Sequence, residues 1–367
     1  MNLEIRRDLW EYLAATEKTV VMYGMGNGAD KILRACASKG IEVSAFFASD
    51  GFVRGHLFHG QPVRSWSEIK ELYGAGNVIV LLSFGTSRPE VLENIERIAA
   101  EAELYAPDVP AFGEGLFDRA FFEAHREEIE AAYALLSDET SRGIFENVLN
   151  FKLTGDIRYL KNAESDREET LLTLVRPREI RVAADLGAYN GDTARELLEH
   201  AEGALETVVA MEPDARNFRK LEAYAAQELR AQVLPHNVGA WSERTTLYFD
   251  DSGNRNASFE SNRSSTLAER PVKRKSIEAD TLDHILEGRA VDYIKYDVEG
   301  SEREALLGSA QTIRACHPRL LVSLYHRNED LFALPLLVKA LFPAYQGFYL
   351  RRFAGVPAWD LNLYVLP

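Results

Sequence analysis

Six ionisable residues in the second half of the chain stand where strand-like apolar runs give out. They are Asp185 after VAA, Glu212 after TVVAM, Lys295, Asp297 and Glu299 within VDYIKYDVEG, and His326 after RLLVSLY. A carboxylate in such a place can accept hydroxyl groups of a ligand or take a proton. A lysine can keep a neighbouring carboxylate ionised, and a histidine titrates near neutral pH. Between the first two lies DLGAYNGDT, Asp185 to Thr193, a glycine-spaced turn that leads from a strand into a helix. Backbone without a Cβ can come close to a ligand there. Strand, tight loop and helix N-terminus together form the usual ligand edge of a parallel sheet.

The glycine spacing narrows the ligand. Gly187 and Gly191 are four apart and Asp185 precedes Gly187 by two, a D-x-G-x-x-x-G pattern and not the G-x-G-x-x-G of dinucleotide sites. This is the form seen in enzymes that bind S-adenosylmethionine (SAM), and it favours methyl transfer over hydride transfer. Glu212 follows Gly187 by 25 residues, close to the offset of a ribose-hydroxyl acceptor. Asp185 beneath the loop can hold loop amides or attract the cofactor's positive charge. Ala188, Tyr189, Asn190 and Thr193 in the loop, Pro213 after Glu212, and Asn237 after the next strand complete the expected cofactor contacts. A generic α/β turn capped by Asp185 is the structural alternative.

The second cluster is IKYDVEGSE, Ile294 to Glu302. Strand alternation puts Lys295, Asp297 and Glu299 on one face, and three charges there are costly unless paired or turned to a cleft. The alternative is a Lys295–Asp297 ion pair with Glu299 and Glu302 serving a helix N-terminus. His326 is expected at the same sheet edge as a general base for an alcohol acceptor, with Asp297 as the competing base. A divalent metal held by Asp297, Glu299 and His326 is the lesser reading, and no metal is expected.

Taken in order, DLGAYNGDT, EPD, IKYDVEGSE and LLGSAQTI resemble the FkbM family of SAM-dependent methyltransferases over roughly Glu179 to Tyr364. The resemblance implies O-methylation of a hydroxyl on a sugar, glycan or natural-product metabolite, with SAM as cofactor. Family members often carry Asn-Ile or Asn-Val where this chain has Tyr189-Asn190, so Tyr189 is expected to shape the amino acid pocket differently. The polar loop Asn254 to Ser265 and the tail residues Arg351, Arg352 and Trp359 are candidate acceptor contacts.

The elements that must position these residues read as two α/β units. Strands TVVMYG, EVSAFFASD and NVIVLLSFG alternate with helices in residues 1–112, a small Rossmann-like domain. Residues 113–165 read as a helical bridge broken near Ser137-Asp138. Residues 166–367 read as a class I SAM methyltransferase fold, a parallel sheet with an antiparallel final strand. The first unit has a glycine loop of its own, Gly24-Met25-Gly26-Asn27-Gly28-Ala29, and resembles small Rossmann-like domains attached to sugar-modifying transferases. A site for NAD or a nucleotide-sugar is one reading of that loop, and a docking or dimerisation domain that makes the chain a homodimer is the other. A non-catalytic SAM-binding interaction protein is the further alternative for the whole chain.

Composition excludes more than it assigns. The chain has 367 residues, 57 acidic against 42 basic, for a formal charge of −15. A broad phosphate-binding face, and hence a nucleic-acid partner, is not expected. The one basic run, Arg270 to Lys275, reads as a solvated edge. Cys36 and Cys316 form neither a metal pattern nor a disulfide framework. No signal-peptide core and no apolar run of membrane-spanning length occurs, so a cytoplasmic location is expected.

Overall fold

A computed structural model describes residues 1, 3, 7–53, 55–250 and 274–367. The polar loop 254–265 and the residues 270–273 of the basic run lie outside the described residues.

Two sheets organise the chain. The first is built from β1 (Thr19–Tyr23), β2 (Ala45–Ala48), β3 (Leu57–Phe58), β4 (Gln61–Ser65), β5 (Val78–Leu82) and β6 (Glu103–Tyr105), in the order β3-β4-β2-β1-β5-β6. All neighbours are parallel except the short β3–β4 hairpin. Its central strands read VVMY, AFFA and VIVLL and are buried throughout, as strands covered by helices on both faces require. The glycine loop after β1 has a packing reason. A Cβ on Gly28 would meet the Ser83 carbonyl oxygen at 2.1 Å, so glycine lets the helix Asn27–Ser38 close on the end of β5.

The second sheet contains β7 (Val182–Leu186), β8 (Thr207–Met211) and β9 (Gln232–His236). After them come β10 (Gly239–Ala240), β11 (Thr245–Asp250) and β12 (Arg274–Asp280), which form a small separate sheet. The chain then returns through β13 (Tyr293–Tyr296), β14 (Arg319–Ser323), β15 (Gly347–Arg352) and β16 (Leu361–Leu366) to give the order β15-β16-β14-β13-β7-β8-β9. β16 runs antiparallel to β14 and β15, and every other pairing in this sheet is parallel. The strand order reverses between β7 and β13. In open α/β sheets that switch point is where ligands bind, and Asp185 and the IKYD strand flank it.

The helical segment after Pro110 packs along β15. Asp138 caps the helix Glu139–Thr154 and also accepts from Arg351 Nη2 at 2.7 Å, while Ser137 Oγ accepts from the Phe348 amide at 2.8 Å. Arg352 is wholly buried and donates to the Leu160 carbonyl at 2.7 Å. The two arginines read as acceptor contacts are thus spent on holding these helices to the sheet.

The carboxyl edges of the two sheets carry the segments that touch. The Phe112 amide donates to the His326 carbonyl at 2.9 Å, and Thr86 and Val356 exchange two main-chain bonds of 2.8 and 2.9 Å. The Trp359 ring lies flush on Gly85, where a Cβ would meet it at 2.1 Å. Lys31 Nζ ties down the approach to Phe112 by donating to the carbonyls of Pro110 and Ala111 at 2.8 and 2.6 Å. Among the described residues, no helix is long and apolar enough to cross a membrane.

Candidate active site

The loop after β7 is locked to the end of β13. Gly187 has φ +86°, and a Cβ there would sit 1.9 Å from the Asp297 carbonyl oxygen. The Asp297 amide in turn donates to the Leu186 carbonyl at 3.0 Å. The Gly187 and Ala188 amides both donate to the Met211 carbonyl, at 2.9 and 3.0 Å, which joins the loop to β8 as well. Gly191 caps the following helix Asp192–His200, and Thr193 lies in its first turn, nearly buried.

Glu212 sits on the β8 side of the loop. Its Oε2 accepts from the Tyr189 amide and its Oε1 from the Asp214 amide, each at 2.8 Å. Burial pushes this carboxyl up to about 7. Asn237 braces the same turn by donating to the carbonyls of Glu212 and Pro213, at 2.8 and 3.3 Å. Asn190 accepts from Arg195 at 3.1 Å. Tyr189 adopts φ +47°, and its ring is 45% exposed beside Lys220 Nζ at 5.3 Å. Its side chain therefore stands on the Glu212 side of the loop, toward the helix Ala215–Ala225, and does not line the cavity on the other side.

Asp185 is 1% exposed, and neither carboxylate oxygen completes a hydrogen bond among the described residues. Burial raises its carboxyl to about 6 although Lys295 Nζ is 3.7 Å away. Lys295 also lies 3.4 Å from Asp297. Burial works against its charge, but Asp297 and Asp185 outweigh burial and hold the ammonium above its ordinary range.

Asp297 and His326 meet, as their strand-end positions suggest. Tyr325 donates to Asp297 Oδ1 at 2.9 Å, and His326 Nε2 is 3.7 Å from the same oxygen and 3.5 Å from Glu299 Oε2. On its other side, His326 Nδ1 is 2.8 Å from Glu302 Oε1, which also accepts the Val298 amide at 2.9 Å. Burial opposes the charge of Asp297, yet Lys295, His326 and the Tyr325 hydroxyl hold its carboxyl below the ordinary value. Burial likewise opposes the imidazolium of His326, but Glu302, Asp297 and Glu299 raise it to about 9. At neutral pH, with only these neighbours, His326 carries its proton.

Two details depart from the strand reading. β13 stops at Tyr296, and Glu299 takes φ +55° in the turn before Gly300, so it reaches His326 from the turn and not from a shared strand face. Tyr325 and Glu302 are not among the residues read from the sequence as site residues, although Tyr325 touches Asp297 and Glu302 touches His326. Glu302 falls three residues after Glu299, which could have signalled it. Tyr325 precedes His326, and its reach to Asp297 depends on the β13–β14 register.

A cavity of about 440 Å³ opens beside this cluster, between the helix Asp192–His200 and strands β13, β14 and β16. Arg167, Asp192, Lys295, Asp297, Tyr325 and Asn362 give it a polar lining.

Residues 185–348 match the methyltransferase FkbM domain. Over that span the chain is similar to the FkbM methyltransferases. The matched span begins at Asp185 itself and contains the glycine loop, Glu212, the IKYDVEGSE cluster and His326. The fold is shared almost end to end with methyltransferase FkbM from Methylobacillus flagellatus KT. That structure aligns with TM-score 0.70 and 22% identity over 97% of this chain and 92% of that chain. Looser likenesses reach fibrillarin from Aeropyrum pernix in complex with S-adenosyl-L-methionine and a methyltransferase from Geobacter sulfurreducens. The first has TM-score 0.32 and 11% identity over 52% of this chain and 68% of that chain. The second has TM-score 0.31 and 13% identity over 66% of this chain and 96% of that chain. No curated protein matches the sequence.

Proposed function

We propose that this chain is a cytoplasmic SAM-dependent methyltransferase that methylates a hydroxyl on a sugar, glycan or natural-product metabolite. The observation that carries the reading is the seating of Gly187 against the Asp297 carbonyl, which joins a cofactor-type loop directly to a charged cluster. The residues suit SAM. Asp185 is a buried carboxylate without a hydrogen-bond partner beneath the loop, a place that favours a cationic ligand. Each oxygen of Glu212 has accepted one amide and keeps a lone pair for a ribose hydroxyl. When bound, the cofactor supplies an electrophilic methyl group for in-line displacement by oxygen.

The chain's own residues then have to orient the acceptor and manage its proton. Asp297, held by Lys295 and Tyr325, is the residue to which we assign that proton. His326 offsets the charge from the opposite side, and Glu299 forms the exposed rim of the same cluster. The polar cavity beside Lys295 and Asp297 suits a hydroxylated ligand better than an apolar one.

Calorimetry with SAM and its demethylated product SAH tests the reading, and pH adds a signature. Hydroxyls donate best to the ionised form of Glu212, so binding favours loss of its proton. With that carboxyl near 7, affinity should rise as the pH goes from 6 to 8, by about tenfold in all. Glu212→Gln should flatten this slope. Absence of any SAM or SAH binding defeats the cofactor assignment, and an unchanged slope in the variant defeats the role given to Glu212.

A further inference from the structure

We propose that His326 Nε2 and the carboxylates of Asp297 and Glu299 form a site for one divalent cation of the Mn²⁺ or Mg²⁺ kind. His326 is 1% exposed, yet among the described residues its Nε2 has no hydrogen-bond partner. That nitrogen faces carboxylate oxygens of Asp297 and Glu299 at 3.7 and 3.5 Å. Both separations are too long for a hydrogen bond. They lie close to the spacing of about 3.0–3.4 Å between neighbouring ligands around an ion with bonds of about 2.1–2.4 Å.

The surroundings point the same way. A metal-ligating histidine usually gives its other N–H to a carboxylate, which fixes the tautomer and aims the ring. Glu302 Oε1 holds Nδ1 at 2.8 Å in that manner and is itself pinned by the Val298 amide. The Tyr325 hydroxyl steadies Asp297 in the equivalent role. Glu302 Oε2 is buried and without a partner among the described residues. With the imidazole neutral, Asp297, Glu299 and Glu302 face one ammonium, Lys295, which Asp185 also shares, so the cluster holds an excess of negative charge that a divalent ion offsets. Two carboxylates and one imidazole suit Mn²⁺ or Mg²⁺ better than a thiophilic metal. Glu299 is 70% exposed, which leaves one side of the site open to water or to an acceptor oxygen.

Ion binding stands apart from the methyl-transfer reading, while the use of the ion to acidify an acceptor hydroxyl rests on it. Mn²⁺ alone is titrated into the full chain, followed by electron paramagnetic resonance and calorimetry. One ion should bind per chain, with nitrogen coupling from an imidazole ligand. His326→Gln should abolish that coupling and weaken binding at least about tenfold. Glu299→Gln, at an exposed side chain, should weaken binding several-fold without moving the thermal melt. Absence of saturable binding, or binding unaltered in both variants, overturns the site. Parallel SAH titrations separate the two assignments: Mn²⁺ binding without SAH affinity keeps the ion site and removes the methyl-transfer reading, and SAH affinity without Mn²⁺ binding does the reverse.

Discussion

Gly187→Ala should abolish measurable binding of SAM and SAH and lower the melting temperature by several degrees. Two costs combine. Alanine at φ +86° adopts a left-handed conformation that L residues disfavour by about 1–2 kcal/mol. Its Cβ would also lie 1.9 Å from the Asp297 carbonyl oxygen, a main-chain atom in a buried strand exit with little room to retreat. The loop must then lift away from β13 and lose the paired bonds from Gly187 and Ala188 to Met211. A total loss of about 3 kcal/mol or more is expected, among the larger effects of a single substitution. Differential scanning fluorimetry and calorimetry with SAH check both parts. A variant that melts and binds like the parent would show that the loop is free to shift and does not cradle the cofactor.

Asp297→Asn should leave SAH affinity within a few-fold of the parent and lower methyl transfer by about 10²–10⁴-fold, the usual range for a lost proton acceptor. Asparagine can still accept from the Tyr325 hydroxyl, and Lys295 keeps Asp185 at 3.7 Å, so the fold retains its main supports. The charge that faces His326, Lys295 and the cavity is gone. Turnover is followed as labelled methyl transferred from SAM to a panel of hydroxylated acceptors. Activity within threefold of the parent would remove Asp297 from the reaction.

Much of this arrangement was legible in the residues. Continuous runs such as VIVLL and TVVAM could only be interior strands, and DLGAYNGDT announced its turn through glycine spacing. The meeting of Asp297 with His326 followed from both standing at strand ends in one sheet. What escaped depends on distances across the fold. Tyr325 and Glu302 acquire their partners only through the register of β14 and the turn at Gly300. Arg351 and Arg352 in the string GFYLRRF read as candidate acceptor contacts, yet one is tied to Asp138 and the other is buried against Leu160. The positive φ of Tyr189 and the place of its ring beside Lys220 likewise appear only in the folded chain.

The contacts between the two sheet edges carry a thermodynamic consequence. The His326 carbonyl is held by Phe112, and the segment between β15 and β16 is held by Thr86 and Gly85. Separating the N-terminal sheet from its neighbour therefore frees the backbone of a site residue and of a cavity-side loop in the same event. Such coupling is reciprocal: whatever ligand fixes His326 or that loop also strengthens the union of the two sheets. The chain should then lose both sheets in one cooperative transition, and ligand should move that transition as a whole.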